Sequence, residues 1–138
     1  MMSSIHSAAI HLLRLVRVVD EEMGLSPARA SALSVLVFGG SCTLTELAQA
    51  ELVSAPTMSR LVAAMEGEGL VRRRPHETDA RAVRLQATPK ARRILERGRA
   101  RREQVLEELF GGLGGADRAA VDRAAAIIES CLAATSAS

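Results

Sequence analysis

Ser54, Thr57, Ser59 and Arg60 fall within the segment Ser54-Ala-Pro-Thr-Met-Ser-Arg60, which holds no acidic residue. Hydroxyls and one guanidinium, placed where a helix would begin, suit the binding of an anion. The free N–H groups of a helix start and nearby hydroxyls donate to phosphate, and an arginine can grip a phosphate or the two acceptors on a guanine edge. This is recognition chemistry rather than bond-breaking chemistry. No nucleophile, base and orienting acid cluster by spacing, no glycine-rich phosphate loop follows a strand, and no metal-ligand motif is present, so neither catalysis nor a cofactor is expected.

The elements that must position these residues lie between Thr43 and Thr88. Thr43-Leu-Thr-Glu46 has the spacing of a capping box and opens a short helix with Leu47 and Ala48 inward. Glu51 to Val53 make a turn, and Ser54 caps a second helix that tolerates Pro56 in its first turn. In that helix Met58, Leu61, Val62 and Met65 share one face, while Pro56, Ser59, Arg60 and Ala63 share the other. So small an outer face suits a helix pressed into the DNA major groove better than one facing water. Gly67 and Gly69 end the helix. Leu70 to Arg74 read as a strand, Pro75 to Arg81 as a loop, and Ala82 to Ala87 as a returning strand with Val83 and Leu85 inward. The expected fold is mainly α with a small β wing, a winged helix-turn-helix flanked by N- and C-terminal helices.

Charge supports the same surface. The net charge is only +2, yet residues 69–102 contain twelve of the eighteen basic residues and three acids, Glu77, Asp79 and Glu96. A local cationic zone of this kind is a docking surface for a polyanion, although Arg97 to Arg102 serve equally well to solvate a long helix. The only aromatic residues are Phe38 and Phe110, which argues against a single-strand or RNA binder that stacks bases. At 48% hydrophobic and 25% charged, the chain can build a core of Leu, Val, Ile, Met and Ala.

The flanking segments are helical. Ile5, Ala9, Leu12, Val16, Val19 and Met23 form a stripe on a first helix, wide enough to suggest burial against a second subunit. Gly24 stops it and Ser26-Pro27 starts the next, filled by Leu33, Val35, Leu36 and Phe38. Thr88-Pro89 opens a long helix to Phe110 whose middle, Gly98 to Gln104, offers almost nothing to a core. A last helix carries Val121, Ala124, Ala125, Ile128 and Leu132. Cys42 and Cys131 are isolated thiols, and His6, His11 and His76 are scattered. Without a signal-like start or a run of roughly 20 apolar residues, a cytoplasmic location with reduced thiols is expected.

In order and spacing the chain resembles the MarR family of winged-helix regulators. The resemblance rests on Leu44-Thr-Glu-Leu-Ala48, Val53-Ser-Ala-Pro-Thr-Met-Ser-Arg-Leu-Val62, Glu68-Gly-Leu-Val-Arg-Arg73, Asp79 and Arg81 in the wing, and Val83-Arg-Leu85 leading to Thr88. It departs at Leu52, where the family often has glycine, at Ala87, and in lacking a cysteine near the start of the first helix. The resemblance implies one MarR-type domain over residues 1–138. Within it lie a winged helix-turn-helix lobe at about 26–90 and a helical dimerisation lobe from about 1–23 and 100–134. It further implies a homodimer that binds a pseudo-palindromic operator on double-stranded DNA, usually as a repressor.

On this basis the DNA-binding residues are Ser54, Ala55, Pro56, Thr57, Ser59, Arg60, Arg73, Arg74, Arg81 and Arg84. Ser54 and Thr57 suit phosphate or nearby base edges. Ser59 and Arg60 suit base reading, with phosphate binding the alternative for Arg60. Arg81 matches the family's minor-groove arginine, and Asp79 orients Arg81 or Arg73 by a salt bridge, since a carboxylate facing phosphate would be repelled. Because side chains alternate along strands, only some of Arg72, Arg73, Arg74 and Arg84 face the duplex. Small phenolic or anionic effectors are common in the family, which makes His6, His11, Arg14 and Phe38 candidate lining residues. The competing function is a winged-helix protein-interaction module that does not bind DNA. Such modules tend to lose the wing arginines and the small outer helix face, and this chain has both.

Overall fold

The computed structural model describes residues 1–75, 78–79 and 82–136. Its elements are α1 (Met2–Met23), α2 (Pro27–Gly39), β1 (Cys42–Thr43), α3 (Leu44–Ala50), α4 (Ala55–Gly67), β2 (Val71–Pro75), β3 (Val83–Ala87), α5 (Pro89–Phe110) and α6 (Gly115–Ser136). The chain divides into two compact units, residues 1–102 and 103–138. Among the described residues no helix is long and apolar enough to cross a membrane.

Helix boundaries follow local chemistry. Gly24 ends α1 in the left-handed conformation at φ 72°. Ser26 caps α2 by accepting the Arg29 N–H, with Pro27 in its first turn. Thr43 and Glu46 form the complete capping box of α3. Its hydroxyl accepts the Glu46 N–H at 3.2 Å, and the Glu46 carboxylate accepts the Thr43 N–H at 3.3 Å. The sheet has three antiparallel strands in the order β1-β3-β2, with Cys42 opposite Leu85 and Val71 opposite Ala87. The two-residue β1 carries no periodicity for a sequence to show.

In the first unit Leu33, Leu36 and Val37 of α2, Leu47 and Ala48 of α3, and Met58, Val62 and Met65 of α4 close on Leu70, Val71 and Leu85 of the hairpin. Ala91 and Leu95 of α5 complete this core. Two expected core residues are outside it. Phe38 is 70% exposed because Leu33, Leu36 and Val37 occupy the inward phase of α2, and Phe38 lies a further 100° round the helix. Val83, opposite Pro75 at the loop end of the hairpin, is 40% exposed, while Leu85 on the same face is buried.

The middle of α5 departs from expectation. Gly98 is buried, and a Cβ placed there would lie 1.9 Å from Met23 Sδ, so α1 and α5 approach closely at this point. Arg102 pairs with Asp20 at 3.0 Å and Arg101 with Glu22 at 3.3 Å. These arginines therefore hold α1 instead of only solvating α5. In the second unit Arg118 of α6 pairs with Glu107 of α5, and Leu106, Phe110, Leu113 and Val121 line a cavity of about 240 Å³.

Candidate nucleic-acid interface

The start of α4 is set by Ser54. Its Oγ accepts the Thr57 N–H at 3.2 Å and donates to Thr57 Oγ1 at 2.8 Å, which leaves the Thr57 hydroxyl proton uncommitted. Met58, Val62 and Met65 are buried and Leu61 is half-buried, fixing the roll of the helix. Ala55, Pro56, Ser59, Arg60 and Ala63 are all exposed on the other side. Arg60 has no hydrogen-bond or ion-pair partner among the described residues. With Thr57, it borders a groove of about 380 Å³ whose apolar lining includes Ala28, Val53 and Leu61.

Polar ties hold the helix on both flanks. Glu68, just past its end, pairs with Arg29 of α2, and Ser31 of α2 donates to Glu51 at 2.9 Å. On the other flank Glu66 accepts from Arg73 Nε of β2 at 2.8 Å. All are solvent-accessible and each adds little stability; the Glu68 and Glu66 pairs tie the end of α4 to α2 and to the hairpin, and the Glu51 bond ties the end of α3 to α2.

The register sorts the hairpin arginines. Arg73 lies opposite Leu85, on the face turned toward α4. Arg72 and Arg74 project from the other face, opposite Gln86 and Arg84. Arg72 Nε donates to Gln86 Oε1 at 3.1 Å. Arg84 Nε donates to Ser41 Oγ at 3.1 Å, and a second nitrogen donates to the Ser41 carbonyl. Arg74 has no partner among the described residues. Asp79 is exposed and its carbonyl accepts the Ala82 N–H at 3.1 Å. The expected minor-groove residue Arg81 lies outside the described residues. These partners were not legible in the sequence, apart from Gln86, which a correct hairpin register would have set opposite Arg72.

The effector candidates do not converge on a described cavity. His6, His11 and Arg14 are exposed on α1, and Phe38 is exposed at the last turn of α2. None of them lines the cavity of about 310 Å³ that Val19, Met23, Ile94, Arg97, Gly98 and Arg101 enclose with Glu22 between α1 and α5. Burial pushes the Cys42 thiol up from its ordinary pKa. The Glu46 carboxylate adds to that rise and Arg84 opposes it. A thiol so placed is a poor nucleophile, in keeping with a small core filler. Cys131 is exposed.

The sequence pattern of the MarR family matches residues 23–82, from the end of α1 to the start of β3. An uncharacterised HTH-type transcriptional regulator of Mycobacterium leprae is 31% identical over 109 residues, covering 78% of this chain and 76% of that protein. The chain belongs to the MarR family. This is a family of DNA-binding transcription regulators and not of enzymes. Similar solved structures extend the likeness of fold beyond the matched segment. A transcriptional regulator of Thermotoga maritima superposes with a TM-score of 0.84 at 23% identity, covering 99% of this chain and 96% of that one. A Staphylococcus aureus MepR mutant bound to an oligodeoxyribonucleotide gives 0.75 at 17% identity, covering 96% of this MarR-family chain and 98% of its own.

Proposed function

We propose that the protein is a homodimeric repressor that reads a pseudo-palindromic operator through α4 and grips the flanking backbone with the wing. The observation that carries this is the outer face of α4: exposed, small, and bearing one long cation, Arg60, with no partner among the described residues. An arginine without a described partner gives up no internal ion pair when it takes a base edge, and ordering its side chain costs about 0.5–1.5 kcal/mol. Ser54 and Thr57 supply hydroxyls at the helix start, while Ala55, Pro56 and Ala63 allow close approach and contact with thymine methyls. Ser59 reads beside Arg60, Arg81 enters the minor groove, and Arg74 and Arg84 belong to the backbone-facing wing, while Arg73, expected there from the sequence, is taken by Glu66 and ties the hairpin to α4. The oligodeoxyribonucleotide bound to the similarly folded MepR mutant supports DNA as the partner. Burying the exposed apolar faces of α1 and α6 supports dimerisation. An effector of phenolic or anionic type would be sought at His6, His11, Arg14 and Phe38, and a cytoplasmic location fits the role.

Selection of bound sites from random duplex DNA tests this directly. An inverted repeat with half-sites about 10 base pairs apart is the expected product, and absence of any enriched sequence would overturn sequence-specific binding. On the selected site Arg60→Ala should cost about 1–3 kcal/mol, with a smaller loss on random duplex. Equal losses on both would make Arg60 a phosphate contact. Arg81→Ala should weaken operator binding at least ~10-fold, or about 1.4 kcal/mol, and most where the flanks are A·T-rich.

A further inference from the structure

The hairpin arginines are unequal in what holds them, and the inequality has a direction. Arg73 is turned toward α4 and taken by Glu66. Arg72, on the opposite face, is taken by Gln86 directly across the ladder. Arg74 and Arg84 stand directly opposite each other on that same outward face, where like charges repel and sheets ordinarily place apolar or oppositely charged pairs.

Neither arginine has a carboxylate partner among the described residues. Arg84 is also held in place. Ser41, just before β1, binds it through both Oγ and the backbone carbonyl. Since β3 lies between β1 and β2, this draws the Arg84 guanidinium toward the β1 side, while Arg74 rises from the β2 edge. The rest of the Arg84 donor fork stays open. Two guanidinium groups with no carboxylate partner among the described residues thus rise from opposed ladder positions, Arg74 exposed and Arg84 half-buried and anchored by Ser41, as a site for an anion would require.

Building on the DNA-binding reading above, we propose that Arg74 and Arg84 form a two-arginine seat for a backbone phosphate of duplex DNA. Ser41 is the positioning residue that holds Arg84 in the seat, and Arg72 and Arg73 serve the fold. The seat reads no sequence. It sets the salt dependence of binding and the position of the hairpin on the backbone.

The test is fluorescence anisotropy on a random duplex and on the selected operator between 50 and 200 mM salt, alongside thermal melting of the free protein. Each phosphate contact contributes about 0.9 to the slope of log affinity against log salt. Arg74→Gln should lower the slope by that amount and weaken both duplexes alike, about eightfold at 0.1 M. It should also raise the melting temperature of the free protein by removing the repulsion, whereas a merely structural arginine would lower it. Arg72→Gln and Arg73→Gln should leave the slope unchanged. Ser41→Ala should weaken binding in the parent and have no further effect in Arg84→Gln, and Ser41→Thr should restore it. A parent that binds duplex DNA while Arg74→Gln keeps the full slope would overturn the seat alone. The same holds for an Arg73→Gln loss as large as that of Arg74→Gln. A parent that binds no duplex would overturn both the seat and the DNA-binding reading.

Discussion

α4 and α6 each carry an apolar stripe at helical spacing, and the structure treats the two in opposite ways. Met58, Val62 and Met65 of α4 are fully buried in the core of the first unit. Val121, Ile127, Ile128 and Leu132 of α6 are exposed, and α6 buries no residue among those described. The amino-terminal part of α1 resembles α6 in this, with Ile5, Ile10, Leu13 and Val18 exposed and only Val19 buried. A periodic stripe states that a helix has a face to cover. It does not state whether the cover comes from the same chain. In α4 the cover is the remainder of the helix-turn-helix and the hairpin, and α6 has no such cover among the described residues.

Breaking each stripe should therefore give a different failure. Ile128→Asp should weaken dimerisation by about 3–5 kcal/mol, the cost of leaving an uncompensated charge in an apolar interface. Sedimentation at micromolar concentration should show a dimeric parent and a monomeric variant. A dimeric Ile128→Asp protein would remove the α6 stripe from the interface. Leu33→Ala, in the core that receives α4, should lower stability by about 2–5 kcal/mol in urea titration and leave the dimer intact. If instead it dissociates the dimer before unfolding, the contrast between the two regions is wrong.

Much of the helix-turn-helix was legible because its signals are local. Ser26-Pro27, the Thr43–Glu46 box and Ser54 lie within one turn of what they cap. The exposed set on α4 could likewise be read from period alone. What could not be read depends on register and on distant partners. The apolar character of Phe38 does not reveal its phase on α2, which turns it out of the core. Ser41 meets Arg84 from 43 residues away, and only the β1–β3 pairing brings them together. The tie between Arg102 and Asp20 spans 82 residues, so a run of arginines that reads as a solvated helix face also anchors α1.

The contact of Gly98 with Met23 offers a finer comparison, between a glycine kept for space and one that is merely present. Helix propensity alone predicts that Gly98→Ala stabilises by about 0.8–1.0 kcal/mol. The added Cβ, however, would overlap Met23 Sδ, and overpacking costs about 1–3 kcal/mol. The net expectation is a loss of roughly 1 kcal/mol. In a Met23→Ala background the obstruction is gone, and the same substitution should become stabilising. A double-mutant cycle in urea reads the change of sign. The same sign in both backgrounds would mean that Met23 simply turns aside.

Leu52 provides the smallest expected effect and the clearest local contrast, because it has the backbone of a glycine and the side chain of a core residue. At φ 56° it is the only described non-glycine residue in the left-handed region, and it is 92% exposed. A Cβ in that conformation costs about 1–2 kcal/mol, while a glycine loses about 0.5–1 kcal/mol in backbone entropy on folding. Leu52→Gly should therefore stabilise the free protein by about 0.5–1 kcal/mol. Leu52→Ala keeps the Cβ and removes only exposed atoms, so it should change stability by less than about 0.5 kcal/mol. Thermal and urea unfolding of both variants separate strain from contact. If both lose stability together, the Leu52 side chain packs against a surface that a single chain does not supply, and its exposure belongs with that of α6 and not with the turn of the helix-turn-helix.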